Sequence, residues 1–150
     1  RNIKKQLSGS TPVTNLLNNV RSSWDLNKLK QNLKITSDGA GDQEANMIAK
    51  ALEKDRYIET LEMNKTGMTD TGAIALDEYL KANTTLKYLR LQENKIGHKG
   101  ATALAEALKV NETLKELDLW DNEVGTGAIK LAEAIPGNMS IQDICLRSNA

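Results

Sequence analysis

Along most of this chain the apolar residues follow two alternating rhythms. A short stretch with apolar residues at every second position, the spacing of a β-strand, gives way to one with them three or four apart, the spacing of a helix face. Ile58, Leu61 and Met63 open one such unit; Leu86, Leu89 and Leu91 stand 28 residues further on, and Leu114, Leu117 and Leu119 another 28. A fourth set, Ile141, Ile144 and Leu146, follows after 27, the missing residue falling between Asn122 and Gly127. The helical halves align as well: Ala73, Leu76 and Leu80 match Ala101, Leu104 and Leu108, and these match Ala128, Leu131 and Ile135. Leu33 and Ile35 form a degenerate first strand, with Ala45, Ile48 and Leu52 as its helix. Residues 29–150 therefore hold four strand–helix units and a fifth strand.

No single unit can hide its own apolar face, so neighbours must stack in register, strands on one side and helices on the other. Helices are wider than strands, so the stack curves into an α/β solenoid with a concave parallel sheet and convex helices. Gly67, Gly97 and Gly125 mark the turns leaving the strands, and Gly72, Gly100 and Gly127 precede the helices. Asn94, Asn122 and Asn149 end the strand segments, where an amide can satisfy backbone groups the turn leaves unpaired. Thr66 takes that place in the second unit and predicts a looser turn. Asn83, Asn111 and Asn138 follow the helices, where asparagine tolerates a left-handed cap.

Ahead of the repeats, Thr11-Pro12 is a helix start, and Val13, Leu16, Leu17, Val20 and Trp24 make one apolar stripe. Residues 11–28 are thus expected to cap the first unit, and the polar residues 1–10 to be loose. At the other end Ile141, Ile144 and Leu146 make an apolar strand with no helix after it. The expectation there is a truncated solenoid whose open edge self-associates.

Composition narrows the chemistry. Twenty basic residues balance twenty acidic ones, so no global field draws the chain to nucleic acid or an anionic membrane. No apolar run approaches the roughly 20 residues of a membrane span. A single cysteine, Cys145, cannot form an intrachain disulfide, which favours a reducing, cytoplasmic setting. Four glycosylation sequons begin at Asn64, Asn83, Asn111 and Asn138, but the last three recur at one place in the repeat, where structure accounts for them. His98 and Cys145 are too few for a zinc site or a catalytic triad, and the glycine turns lack the lysine-serine/threonine pair of a phosphate loop. The carboxylates lie on a shallow surface that would not enclose a substrate. The reading is a non-enzymatic domain with no cofactor, metal or small-molecule substrate.

Binding should occur on the concave face, where the residues between the inward leucines point outward. Strand register arranges them in columns: Asn32, Thr60, Tyr88, Glu116, Asp143; Lys34, Glu62, Arg90, Asp118, Cys145; Thr36, Asn64, Gln92, Trp120, Arg147. Lys65, Glu93, Asp121 and Ser148 edge the turns beyond. Of two tryptophans and three tyrosines, Trp120 and Tyr88 both fall on this grid, and aromatic and arginine side chains dominate binding hot spots. Glu93, Glu116, Asp118, Asp121 and Asp143 form an acidic cluster suited to a basic patch on a partner. The expected site is Tyr88, Arg90, Glu116, Asp118, Trp120, Asp121, Asp143 and Arg147.

The unit Thr84-Thr85-Leu86-x-x-Leu89-x-Leu91-x-x-Asn94-x-Ile96-Gly97-x-x-Gly100-Ala101-x-x-Leu104-Ala105-x-Ala107-Leu108-x-x-Asn111 resembles the ribonuclease-inhibitor class of leucine-rich repeats. The resemblance spans about residues 29–149 and implies a right-handed horseshoe arc that binds another protein. The preceding cap helix, the small number of repeats and the run Leu108 to Lys115 are similar to tropomodulins, which cap actin filaments. Shared scaffold also relates the chain to the activating protein of the Ran GTPase. The resemblance therefore implies a protein-recognition module, with actin capping or GTPase activation as the narrower alternatives.

Overall fold

The structure is a computed structural model that describes residues 32–35, 39 and 41–149. Five strands, β1 (Asn32–Lys34), β2 (Thr60–Glu62), β3 (Tyr88–Arg90), β4 (Glu116–Asp118) and β5 (Asp143–Cys145), alternate with four helices. The helices are α1 (Gly41–Ala51), α2 (Asp70–Ala82), α3 (His98–Leu108) and α4 (Gly127–Ala134), the last followed by a 3-10 turn, Ile135–Gly137. The strands make one parallel sheet in chain order. Leu33, Leu61, Leu89, Leu117 and Ile144 stand directly beside one another across it. The spacing of the apolar pattern is thus the register of the sheet. The proposed cap at 11–28, the loose segment 1–10 and the concave residue Thr36 lie outside the described residues.

Each unit sends one leucine from the middle of its strand and several apolar residues from its helix into a single continuous core. Leu61, Leu89 and Leu117 are fully buried, as are Leu76 and Leu104 on the helices. Helices approach closely because small residues face one another: a Cβ at Gly127 would meet Ala101 Cβ at 2.7 Å, and one at Gly100 would meet Asp70 Oδ1 at 2.7 Å. Gly72 and Gly100 lie inside the first turns of α2 and α3 rather than before them, because that is where neighbouring helices press together. At those turns the preceding helix caps the next. Asp42 Oδ1 accepts from the N–H groups of Thr69 and Gly72, and Asp70 Oδ1 from those of Gly97 and Gly100. The third member of this column is His98, whose Nδ1 lies 3.2 Å from Thr126 Oγ1 beside the shortened loop.

Two asparagine ladders tie the units together. In the first, Asn122 Oδ1 accepts from the Ile96 N–H of the preceding unit, while Nδ2 donates to the carbonyls of Leu91 and of its own Leu119. Asn94 and Asn149 repeat the arrangement, donating to Met63 and Leu119 of the units before them. In the second, Asn111 Oδ1 accepts from the N–H groups of Thr113 and Leu114, and Nδ2 reaches back to the carbonyls of Leu80 and Asn83. Asn138 does the same toward Leu108 and Asn111. Asn83 and Asn138 have extended backbones, with φ −81° and −101°, so this column is chosen for its bidentate amide and not for a left-handed cap. With Asn111 buried and its nitrogen engaged twice, no glycan can be attached there.

Both ladders stop at the junction of the first two units. Thr66 donates to Met63 of its own strand and has no amide to extend to the first unit. It is nevertheless fully buried, with its N–H held by Asn94 Oδ1, so the turn is not the looser one expected. In the second ladder Asn83 Nδ2 turns to Thr85 Oγ1, and the first unit carries Asp55 where the others have asparagine. Asp55 Oδ2 accepts from Tyr57 and Ile58 as an asparagine would, but Oδ1 is buried without a partner, as is the hydroxyl of Tyr79. Burial first, and the Asp55 charge second, push the Tyr79 hydroxyl pKa up.

Two further expectations, the burial of Ile135 and the exposure of Thr60, need correction, and the turn glycines differ in conformation. Gly97 has φ −97°, unlike Gly67 at +73° and Gly125 at +51°. The turn position that repeats in left-handed conformation is Lys65, Glu93, Asp121 and Ser148, at φ between 54° and 57°. Ile135, aligned with the buried Leu108, is 45% exposed, because Pro136 ends the regular helix and no later helix is described to cover it. Thr60 is buried on a face expected to be open: it is small and stands beside Tyr88 in the register. At the far end Ile141, Ile144 and Leu146 are only partly buried where Leu114, Leu117 and Leu119 are fully so.

Asn122→Ala strands the Ile96 N–H and takes one donor from each of the Leu91 and Leu119 carbonyls, which keep Asn94 and Asn149; at ~1–3 kcal/mol for a buried group left unpaired it should lower the urea midpoint by several times the effect of an exposed substitution. Because unladdered units open more readily, amide exchange at Leu33 and Ile48 should be faster than at Leu89 and Leu104. Equal protection by hydrogen exchange would show that strand pairing alone holds the first unit.

Candidate protein-recognition face

The short strands set the geometry of the open face. Leu89 and Leu117 turn inward, so Tyr88 and Arg90, then Glu116 and Asp118, must turn outward. Register places Tyr88 beside Glu116 and Glu116 beside Asp143, with Arg90 beside Asp118. Trp120, Asp121 and Arg147 follow just past the strands, where Asp121 N–H donates to Arg147 O at 2.9 Å. All eight expected residues therefore share one face. Tyr88, Arg90, Glu116, Asp118 and Trp120 are half-buried; Asp121, Asp143 and Arg147 are exposed.

The charges on this face are largely spoken for. Lys34 pairs with Glu62 at 3.2 Å, and Arg90 bridges Glu62 at 3.1 Å and Glu116 at 3.2 Å. Burial works against the Arg90 charge, but the hydrogen bonds and charges of Glu116 and Glu62 outweigh it and hold its pKa above the ordinary value. Lys65 pairs with Glu93 at 2.9 Å, and that bond and charge raise the lysine pKa. Gln92 donates to Asp118 Oδ2, and Asp118 Oδ1 accepts from the Trp120 N–H at 2.9 Å, which fixes the backbone that presents the indole.

The expected acidic cluster is thereby divided. Glu93 and Glu116 are neutralised within the domain, and Asp118 is held by an amide; Asp121 and Asp143 form no ion pair among the described residues. Unpaired negative charge concentrates at the β4–β5 end, beside Trp120. Glu62 and Gln92 were on the sequence grid but not among the expected site residues. Glu62 joins the candidate site as the direct register partner of Arg90 in the same column, and Gln92 joins it through a diagonal contact with Asp118 that column order does not reveal. Among the described residues no cluster of His, Cys, Asp and Glu could hold a metal ion, and no helix is long and apolar enough to cross a membrane.

A one-sheet solenoid with a preorganised polar and aromatic face defines a leucine-rich-repeat protein-binding domain. More narrowly, the chain belongs to the TMOD/LMOD leucine-rich domain family, whose model matches residues 11–147. Among solved structures, leiomodin-1 actin-binding site 2 is similar at TM-score 0.75 and 24% identity, over 91% of this chain and 79% of that one. The tropomodulin C-terminal domain of Caenorhabditis elegans is similar at TM-score 0.64 and 16% identity, over 90% and 82%. At these identities the two likenesses show the fold. No curated protein sequence matches the chain.

Glu116→Lys removes one arm of the Arg90 bridge and sets two cations side by side, so it should lower stability by about 1 kcal/mol, the upper end for exposed pairs. Asp143→Lys, which breaks no pair, should leave the melting temperature unchanged, and thermal denaturation of the two variants checks the contrast.

Proposed function

We propose that this domain binds actin through its concave face and slows subunit exchange at a filament end. The observation that carries the reading is the family match over residues 11–147; the name of the leiomodin-1 domain describes it as an actin-binding site. No observation favours the GTPase-activating alternative. On this reading Tyr88 and Trp120 are the apolar anchors, Arg90 and Arg147 frame them, and Asp121 and Asp143 meet a basic patch on the partner. The internal pairing of Arg90 with Glu62 and Glu116 supports such a role, because a face already held in one arrangement loses less freedom on binding.

The test is elongation of pyrene-labelled actin from seeds whose barbed ends are blocked, together with titration of labelled monomeric actin. The domain should slow elongation in proportion to its concentration. Trp120→Ala should weaken binding by about 2 kcal/mol, roughly thirtyfold, while Lys81→Glu and Lys109→Glu on the helices should not. Asp143→Lys should slow association, and more so at low salt. Absence of any effect on elongation or on monomer fluorescence would remove actin as the partner, and loss through the helix variants alone would move the site to the convex side.

A further inference from the structure

A recess of 460 Å³ lies outside the concave face, on the rim where the chain rises from the helices into the strands. Its floor is made by a repeating column, Thr85, Thr113 and Ser140, each two residues after a ladder asparagine. Those asparagines accept the backbone N–H groups of all three floor residues, so the floor is fixed before anything binds. The hydroxyls lie against the same asparagine oxygens, at 3.0–3.5 Å, and each keeps free capacity as an acceptor.

The walls are less satisfied. Lys87 is paired with Glu59 at 2.6 Å, but Lys115, one unit further on, has no ion pair or side-chain hydrogen bond among the described residues. At the end of the recess Met139 is 96% exposed, far more than any other large apolar side chain described. It stands where the two preceding units carry Thr84 and Glu112. A free ammonium and a free thioether on a rigid floor combine a charge anchor with an adaptable apolar one.

We propose that this rim groove is a docking surface for an extended acidic segment of a protein partner, with a carboxylate at Lys115 and an apolar side chain against Met139. The recess crosses the ends of β2 to β5. At about 4.8 Å per strand that is roughly 14 Å, the length of about four extended residues. The lining favours a peptide over a polyphosphate chain, because Glu59 and Glu112 stand among the cations and would repel a charge on every unit. A peptide can alternate acidic and apolar side chains to suit. The surface is separate from the proposed actin contact and does not depend on it.

The probe is a fluorescein-labelled peptide of alternating glutamate and leucine, titrated into the full chain by anisotropy, with its lysine–leucine counterpart as control. Backbone amide shifts on the labelled protein locate the contact. The acidic peptide should bind in preference to the basic one and shift Thr85, Thr113 and Ser140. Lys115→Glu should weaken it roughly tenfold or more, Met139→Ser should weaken it less, and Trp120→Ala should leave it unchanged. Failure of the acidic peptide to bind, equal binding of the basic peptide, indifference to Lys115→Glu, or shifts confined to the concave strands would each overturn the proposal.

Discussion

The rest of the structure hangs on the carboxamide of a buried asparagine, which can accept from one unit and donate to the next. Each strand here is three residues long, too short to specify by itself how far the chain travels before turning back. Asn94, Asn122 and Asn149 supply that limit: their oxygens hold the turn of the unit before, and their nitrogens bind carbonyls on both sides of the interface. Buried backbone groups that lack a sheet or helix partner are costly. Aspartate cannot replace the donor and threonine cannot span the gap, as the junction at Asp55 and Thr66 shows.

That constraint reaches the candidate recognition face. Because the ladder fixes where each strand ends, the residue after the outward third column is forced into a left-handed turn at Lys65, Glu93, Asp121 and Ser148. Left-handed backbone at a non-glycine residue carries strain. After Glu93, Asp121 and Ser148 the ladder asparagine follows immediately and anchors the turn, and after Lys65 the buried Thr66 takes that place. The same turn carries Trp120 and Asp121 to the edge of the sheet, and the β3–β4 register brings Arg90 within reach of Glu116 while Glu62 meets it from the other side. The candidate face and the scaffold energetics are thus set by one repeating geometry.

Much of this was legible in the chain. The 28-residue spacing fixed the number of units, the order and register of the strands, and the inward leucines, because a strand's alternation and a helix's 3.6-residue turn are local properties. The same spacing brought the eight expected residues onto one face. The class resemblance was legible in one full unit, Thr84 to Asn111, and the family match is consistent with it. What misled was treating repeat positions as independent: Ile135 aligns with Leu108, yet its burial depends on a neighbouring helix and on Pro136, not on its own column.

The sequence by itself determined the solenoid, since apolar periodicity decides which side of each element must leave water, and an identical period in successive units leaves stacking in register as the way to bury them all. Only the tertiary structure decided which polar groups find one another. Arg90 pairs with its register neighbour Glu62 and reaches diagonally to Glu116 rather than across to Asp118, Asp121 and Asp143 form no ion pair among the described residues, and Asp55 and Tyr79 are each left with a buried atom unsatisfied. Those outcomes turn on distances of an ångström between side chains far apart in the chain. Hydrogen bonds and ion pairs are directional and short-ranged, whereas hydrophobic burial, which a linear pattern encodes, is neither.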